Sequence, residues 1–160
     1  MADKLAAAFH GASLTDTLRP ILAAYRAEVQ PHWSAATAHP DYEGAAGSPV
    51  GQCGVTSAWL QRRLAEDHGL EVRYCTGTRI ASPTDLGSSH CWLELLYGAT
   101  LVIDLTADQF PNGEPITFAS YAEIASSGVW YVTRHDAPAS EMATDPVQPR
   151  LAILTEAVGR

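Results

Sequence analysis

The chain has 160 residues, enough for one domain whose core needs no disulfide staples. Hydrophobic residues make up 46% and charged residues 18%, an ordinary globular balance. A net charge of −8 argues against a nucleic-acid backbone or an anionic membrane as partner, since both attract basic patches; peptides, proteins and small molecules stay open.

Residues 1 to 12 read as a loose arm. Their apolar stretch is too short for a secretory signal, and no run approaches the ~18 apolar residues of a membrane span. The expectation is a soluble, cytoplasmic protein. Leu18, Ile21, Leu22, Tyr25 and Val29 recur at helical spacing, which predicts an amphipathic helix within residues 14 to 29. Pro20 either interrupts it or sits at its first position, with the start near Arg19. Residues 30 to 52 hold three prolines and two histidines without a clear period. A loop of that length is usually functional or disordered. Its His32, Trp33, His39 and Tyr42 are at even odds between lining a cleft and serving as ordinary loop residues.

Cys53 to His68 reads as a helix. Val55, Trp59, Leu60 and Leu64 form its apolar stripe, Arg62, Arg63, Glu66 and Asp67 lie outside it, and Gly69 is the natural C-cap. Val72 to Thr76 is a candidate strand, followed by a polar loop from Thr78 to Ser89. His90 to Leu96 and Leu101 to Thr106 read as paired strands around a Tyr97-Gly98-Ala99 turn. A short helix is expected within 117 to 127, with Tyr121 and Ile124 inward. Val129 to Arg134 reads as a strand and residues 136 to 149, with three prolines, as a linker. The last ten residues read as a returning strand or short helix. The order gives an α+β class, helices segregated from an antiparallel sheet, in a single domain spanning residues 1 to 160.

Three positions carry the chemistry. Cys53 opens a helix, where the dipole favours a thiolate and unpaired N–H groups can hold an oxyanion. His90 opens a hairpin strand and suits a general base and acid. Asp104, near the end of the returning strand, suits the carboxylate that orients the imidazole. Side-chain alternation tests the pairing. His90 and Asp104 share a sheet face only if the hairpin loop has an odd number of residues. A three-residue loop at 97 to 99 sets Trp92 opposite Asp104, with His90 as the diagonal neighbour.

Together, Gly51-Gln52-Cys53, His90-Cys91-Trp92-Leu93-Glu94-Leu95 and Val102-Ile103-Asp104-Leu105-Thr106 resemble the active-site motifs of the transglutaminase-like superfamily. These are the glycine-glutamine-cysteine at the start of the central helix, the His-x-Trp-x-Glu strand, and the next strand ending in aspartate. The spacings suit compact bacterial members, and the resemblance covers about residues 50 to 110. It implies a papain-like core in which a central helix bearing the cysteine packs on an antiparallel sheet. It also implies Cys53 as nucleophile, His90 as acid–base and Asp104 as orienting group. Amide hydrolases, deamidases, transamidases and inactive relatives share this pattern. Gly54 departs from it, standing where animal transglutaminases carry tryptophan. No glutamine upstream of Cys53 matches the papain oxyanion donor, which leaves Gln52 as the candidate. Nothing resembles the calcium sites of the large animal enzymes.

The expected function is acyl transfer from an amide or thioester through a thioester on Cys53, ending in hydrolysis or in transfer to an amine. The substrate is a peptide, a protein or a small-molecule amide, and no cofactor is needed. The alternative is a catalytically idle binding or interaction module. Trp92 is expected to shield the triad from water rather than Glu94 to contact substrate, because a carboxylate there would raise the thiol's pKa. Asp108 is a rival third member that better suits shaping the loop or the substrate cleft. Zinc binding is a weak rival. No Cys-x-x-Cys pair exists, and alternation turns Cys91 to the face opposite His90. Cys75 and Cys91 are expected to be core thiols.

Overall fold

The computed structural model describes residues 13–82, 84–137 and 147–159. The expected N-terminal arm and most of the 136–149 linker lie outside the described residues. Among those described, four helices and a five-stranded antiparallel sheet form an α+β architecture. Among the described residues no helix is long and apolar enough to cross a membrane.

Helix α1, Leu14–Val29, starts at the Ser13 N-cap, whose hydroxyl accepts from the Asp16 N–H. It runs through Pro20 rather than stopping at it. That residue sits exposed in the second turn, so its missing donor falls on the solvent side. Leu14, Leu18, Leu22, Tyr25 and Val29 face the core. Helix α2, Cys53–His68, ends on Gly69 with left-handed backbone. Its first two turns, Gly54 to Gln61, are buried on every side, so it is a central helix and not a surface one. Arg63, expected outside the apolar stripe, is 5% exposed. It donates to Asp67 and Glu28 and lies over the Tyr25 and Trp59 rings, which repay its desolvation.

The strands are β1 (Arg73–Ile80), β2 (Ser88–Tyr97), β3 (Ala99–Asp104), β4 (Thr117–Ser120) and β5 (Trp130–Ala137). Their order across the sheet is β4-β3-β2-β1-β5. β1 runs on past the expected end at Thr76, because Gly77, Thr78, Arg79 and Ile80 pair with β5 although Thr78 and Arg79 are polar. β4 occupies the start of the expected 117–127 helix. Phe118 is buried beside Ile103, and only Tyr121–Ser126 forms a helix, α3, behind a Ser120/Glu123 capping box. Helix α4, Val147–Val158, begins inside the expected linker. Pro149 falls in its first turn, where an N–H has no intrahelical partner to lose.

Alternation along β2 divides the interior. Leu93 and Leu95 join Tyr74, Ile103, Phe118 and the helices α1, α2 and α4 in the main core. Trp92 packs on the other face with Cys75, Val102, Ile124 and Tyr131. Gly98, at φ 68°, is the single residue between β2 and β3, and Tyr97 pairs with Ala99 rather than lying in a three-residue loop. The connection is still odd in length, so its parity keeps His90 and Asp104 on one face.

At Gly77 the backbones of β1 and β5 and the Trp92 ring meet so closely that no side chain fits. A Cβ there would lie 2.1 Å from the Val132 carbonyl oxygen and 2.7 Å from Trp92. Gly77→Ala is therefore expected to destabilise the protein by roughly 1–3 kcal/mol through overpacking, a fall of about 2–12 °C in Tm. A thermal melt matching wild type would contradict this packing.

Candidate active site

Three separate elements meet at Cys53. The residue is the first of α2, and Gln52 makes no side-chain capping bond. The N–H groups of Cys53, Gly54 and Val55 therefore lack intrahelical acceptors, and the positive end of the helix dipole falls on the thiol. His90 and Cys91 come from β2, and Asp104 is the last residue of β3. β3 leaves the sheet after Asp104, whereas β2 continues back to Ser88. The stretch holding His90 and Cys91 thus has a sheet neighbour only on the β1 side.

That open flank corrects one expectation. Alternation does place Cys91 on the main-core face and His90 on the other. Yet Cys53, arriving at the unpaired side of β2, shares one cleft lining with both of them, and both lower its pKa. Cys91 is thus no core thiol remote from the site. Tyr74 lies on the same lining and acts on Cys91 in turn. The space around Cys91 also accounts for Gly54. A Cβ there would come within 3.3 Å of the Tyr74 hydroxyl and 3.8 Å of the Cys91 sulfur, so a tryptophan would displace both.

His90 is 2% exposed and Asp104 1%. The His90 Nε2 meets Asp104 Oδ2 at 2.6 Å. This leaves Nδ1 as the ring nitrogen for Cys53. Asp104 is fully engaged. Oδ1 accepts from the Thr106 N–H at 2.8 Å and its hydroxyl at 2.9 Å, and Oδ2 accepts from the Tyr131 hydroxyl at 2.8 Å. Trp92, with no exposed surface, stacks on His90 at 6.2 Å and 26°, while Phe110 meets the ring edge-on at 4.9 Å. The histidine is thereby clamped between aromatic walls.

These contacts set the protonation states. The hydrogen bond from Cys91 does most to draw the Cys53 thiol well below its ordinary range. Burial opposes it, and the bond and charge of His90 reinforce it. Cys91 moves the opposite way, pushed up by its bond to Cys53 and by burial, so it stays a neutral donor. Burial works against a charged His90, but Asp104 and then Cys53 outweigh it and raise its pKa to about 10. Burial likewise opposes ionisation of Asp104, yet His90, Thr106 and Tyr131 hold its carboxyl below the usual value. These directions favour a thiolate–imidazolium pair supported by a buried carboxylate.

The other expected residues divide clearly. Gln52 has no exposed surface, and its amide donates to the Ser34 carbonyl at 2.9 Å. It pins the 30–52 loop and does not line the cleft. The uncapped first turn of α2 begins at Cys53 itself. Asp108 turns away to a bidentate pair with Arg26, at 2.9 and 2.7 Å, under the 105–115 segment. Glu94 accepts from Thr133 and Tyr121. Of the loop residues singled out, His39 and Tyr42 line the cleft beside Cys53, whereas Trp33 is buried in the core. Gln109 was not anticipated. Its amide lies 3.2 Å from His90 Nδ1 and is held by the Thr106 carbonyl at 3.1 Å. Its only sequence signal is its place just past the Asp104 strand.

The cleft has a volume of about 490 Å³, and Cys53, Gly54, His90 and Cys91 contribute to its lining. Comparisons with protein-family models, with curated proteins and with solved structures find no match for this chain.

Proposed function

We propose that this protein is a cysteine-nucleophile acyl-transfer enzyme of the transglutaminase-like, papain-related kind. One observation carries the reading: a thiol at the start of a buried helix shares a cleft with a histidine whose ring is held by a buried carboxylate.

The chemistry follows from the resting charges. The Cys53 thiolate attacks the carbonyl carbon of an amide, and the electron pair of the C=O bond moves to oxygen. The first-turn N–H groups of α2 stabilise that oxyanion. Collapse of the tetrahedral adduct expels the amine, which takes the proton of the His90 imidazolium, and leaves a thioester on Cys53. Neutral His90 then removes a proton from water or a second amine as it attacks the thioester. Cys53 leaves as thiolate, His90 is again protonated, and an acid or a new amide departs. Asp104 holds the ring in orientation throughout and offsets its charge.

A direct test offers the protein small activated esters and thioesters and weighs the intact chain after quenching. The expected result is an acyl mass increment on the peptide containing Cys53, turnover on prolonged incubation, and loss of both in Cys53→Ala. Acylation elsewhere, or turnover that survives Cys53→Ala, would overturn the reading.

A further inference from the structure

The pairing of β1 with β5 carries an irregularity at the level of the site. Thr76 pairs with His135, but the next residue, Gly77, pairs with Thr133. Arg134 is the inserted residue, without a partner on β1. Such a bulge bends its strand and re-aims the side chain it carries. On its other edge, β1 pairs Gly77 with His90 and Thr76 with Cys91. The inserted arginine therefore sits one strand away from the two residues that lower the Cys53 pKa, and it lines the same cleft with Thr76 and Gly77.

Arg134 differs from most other described arginines. Arg26, Arg63 and Arg73 are each held by carboxylates. Arg79 lies over Phe110 and Tyr131. Arg19 donates to the Phe118 carbonyl. Arg134 is exposed and makes no ion pair among the described residues. A second guanidinium reaches the same cleft from α4. Arg150 is buried and donates to the Thr37 carbonyl at 3.4 Å. Among the described lining residues the one carboxylate, Asp41, lies 3.6 Å from His39. In a chain of net charge −8, an exposed arginine on this lining favours an anion there.

We infer that Arg134 is a substrate-binding residue and that the acyl donor carries a carboxylate close to the reacting carbonyl. The inference rests on Cys53 being the nucleophile. A guanidinium suits a carboxylate because its planar fork presents parallel N–H donors.

Two alkylating probes separate this inference from the reading beneath it. Iodoacetamide and iodoacetate deliver the same carbon to Cys53, but only iodoacetate brings a carboxylate. The ratio of their rate constants, iodoacetate over iodoacetamide, is measured at pH 7 and low salt on wild type, Arg134→Gln and Arg134→Lys. The ratio is expected to fall roughly three- to tenfold in Arg134→Gln, to fall less in Arg134→Lys, which keeps the charge but not the fork, and to shrink in wild type at ~1 M salt. A ratio that stays the same in Arg134→Gln overturns the inference, whether the two rates are unaltered or fall together. The absolute iodoacetamide rate and its dependence on His90 report separately on whether Cys53 is activated.

Discussion

Replacing His90 by alanine is expected to slow alkylation of Cys53 by iodoacetamide at pH 6 by at least about tenfold. A thiol at its ordinary pKa of about 8.5 is well under ~1% thiolate at that pH. The greater intrinsic nucleophilicity of a more basic thiolate recovers only part of the loss. The wild-type profile should rise on the acid side, well below the ordinary thiol range, as Cys53 loses its proton. It should hold a plateau until His90 deprotonates near pH 10. In His90→Ala the acid limb should move up toward the ordinary thiol range, because the bond and charge of His90 are lost while the larger Cys91 contribution remains. Cys91→Ala should shift the acid limb upward while leaving a plateau, since it removes the strongest single influence that lowers the Cys53 pKa. Mass mapping of each cysteine at each pH follows all three profiles. A His90→Ala profile that superimposes on wild type would mean that the pair is not formed in solution.

The same site marks how far sequence reasoning reaches. Cys53, His90 and Asp104 are legible because each rests on a local rule: a helix start, a strand start, and an odd-length turn that fixes parity. The 2.6 Å contact between His90 and Asp104 is what that parity requires. Cys91 escaped because alternation along a strand says which face a residue takes, not where the neighbouring strand ends. Once β3 departs after Asp104, a group at the open flank meets both faces. Tyr131 and Gln109, which complete the shell around Asp104 and His90, arrive from distant or irregular segments that no period predicts. The polar end of β1 and the proline-bearing start of α4 were hidden for a related reason. Pairing with β5 and packing against α2 decide those segments, and both override local composition. Arg134 belongs to this group as well. VWYVTR reads as an ordinary strand, and only the register against β1 reveals the inserted residue.

Asp104→Ala is expected to be the most destabilising single change at the site. The carboxylate satisfies four buried partners: His90, the Thr106 N–H and hydroxyl, and the Tyr131 hydroxyl. Alanine removes every acceptor at once and takes from the His90 ring the carboxylate that does most to favour its charge. Breaking one side of a buried pair typically costs about 3–5 kcal/mol, which for a chain of this size lowers Tm by about 6–20 °C. Asp104→Asn keeps the volume and an acceptor for Thr106, so its cost should be smaller, about 1–3 kcal/mol. The pH dependence of the difference between wild type and Asp104→Asn identifies the cause. The Asp104 carboxyl is held below its unfolded value of about 3.9, so its contribution exists above that pH and is lost as pH falls through the folded value. The folded pKa of His90 is about 10 against about 6.5 unfolded, so its contribution is complete below about pH 6.5 and is lost as pH rises toward 10. The stability gap should therefore be widest between about pH 4 and 6.5 and narrow on both sides. Chemical denaturation of the two proteins across pH 3 to 10 measures it. A gap that does not vary with pH would assign the cost to packing and remove the buried ion pair from the account of this site.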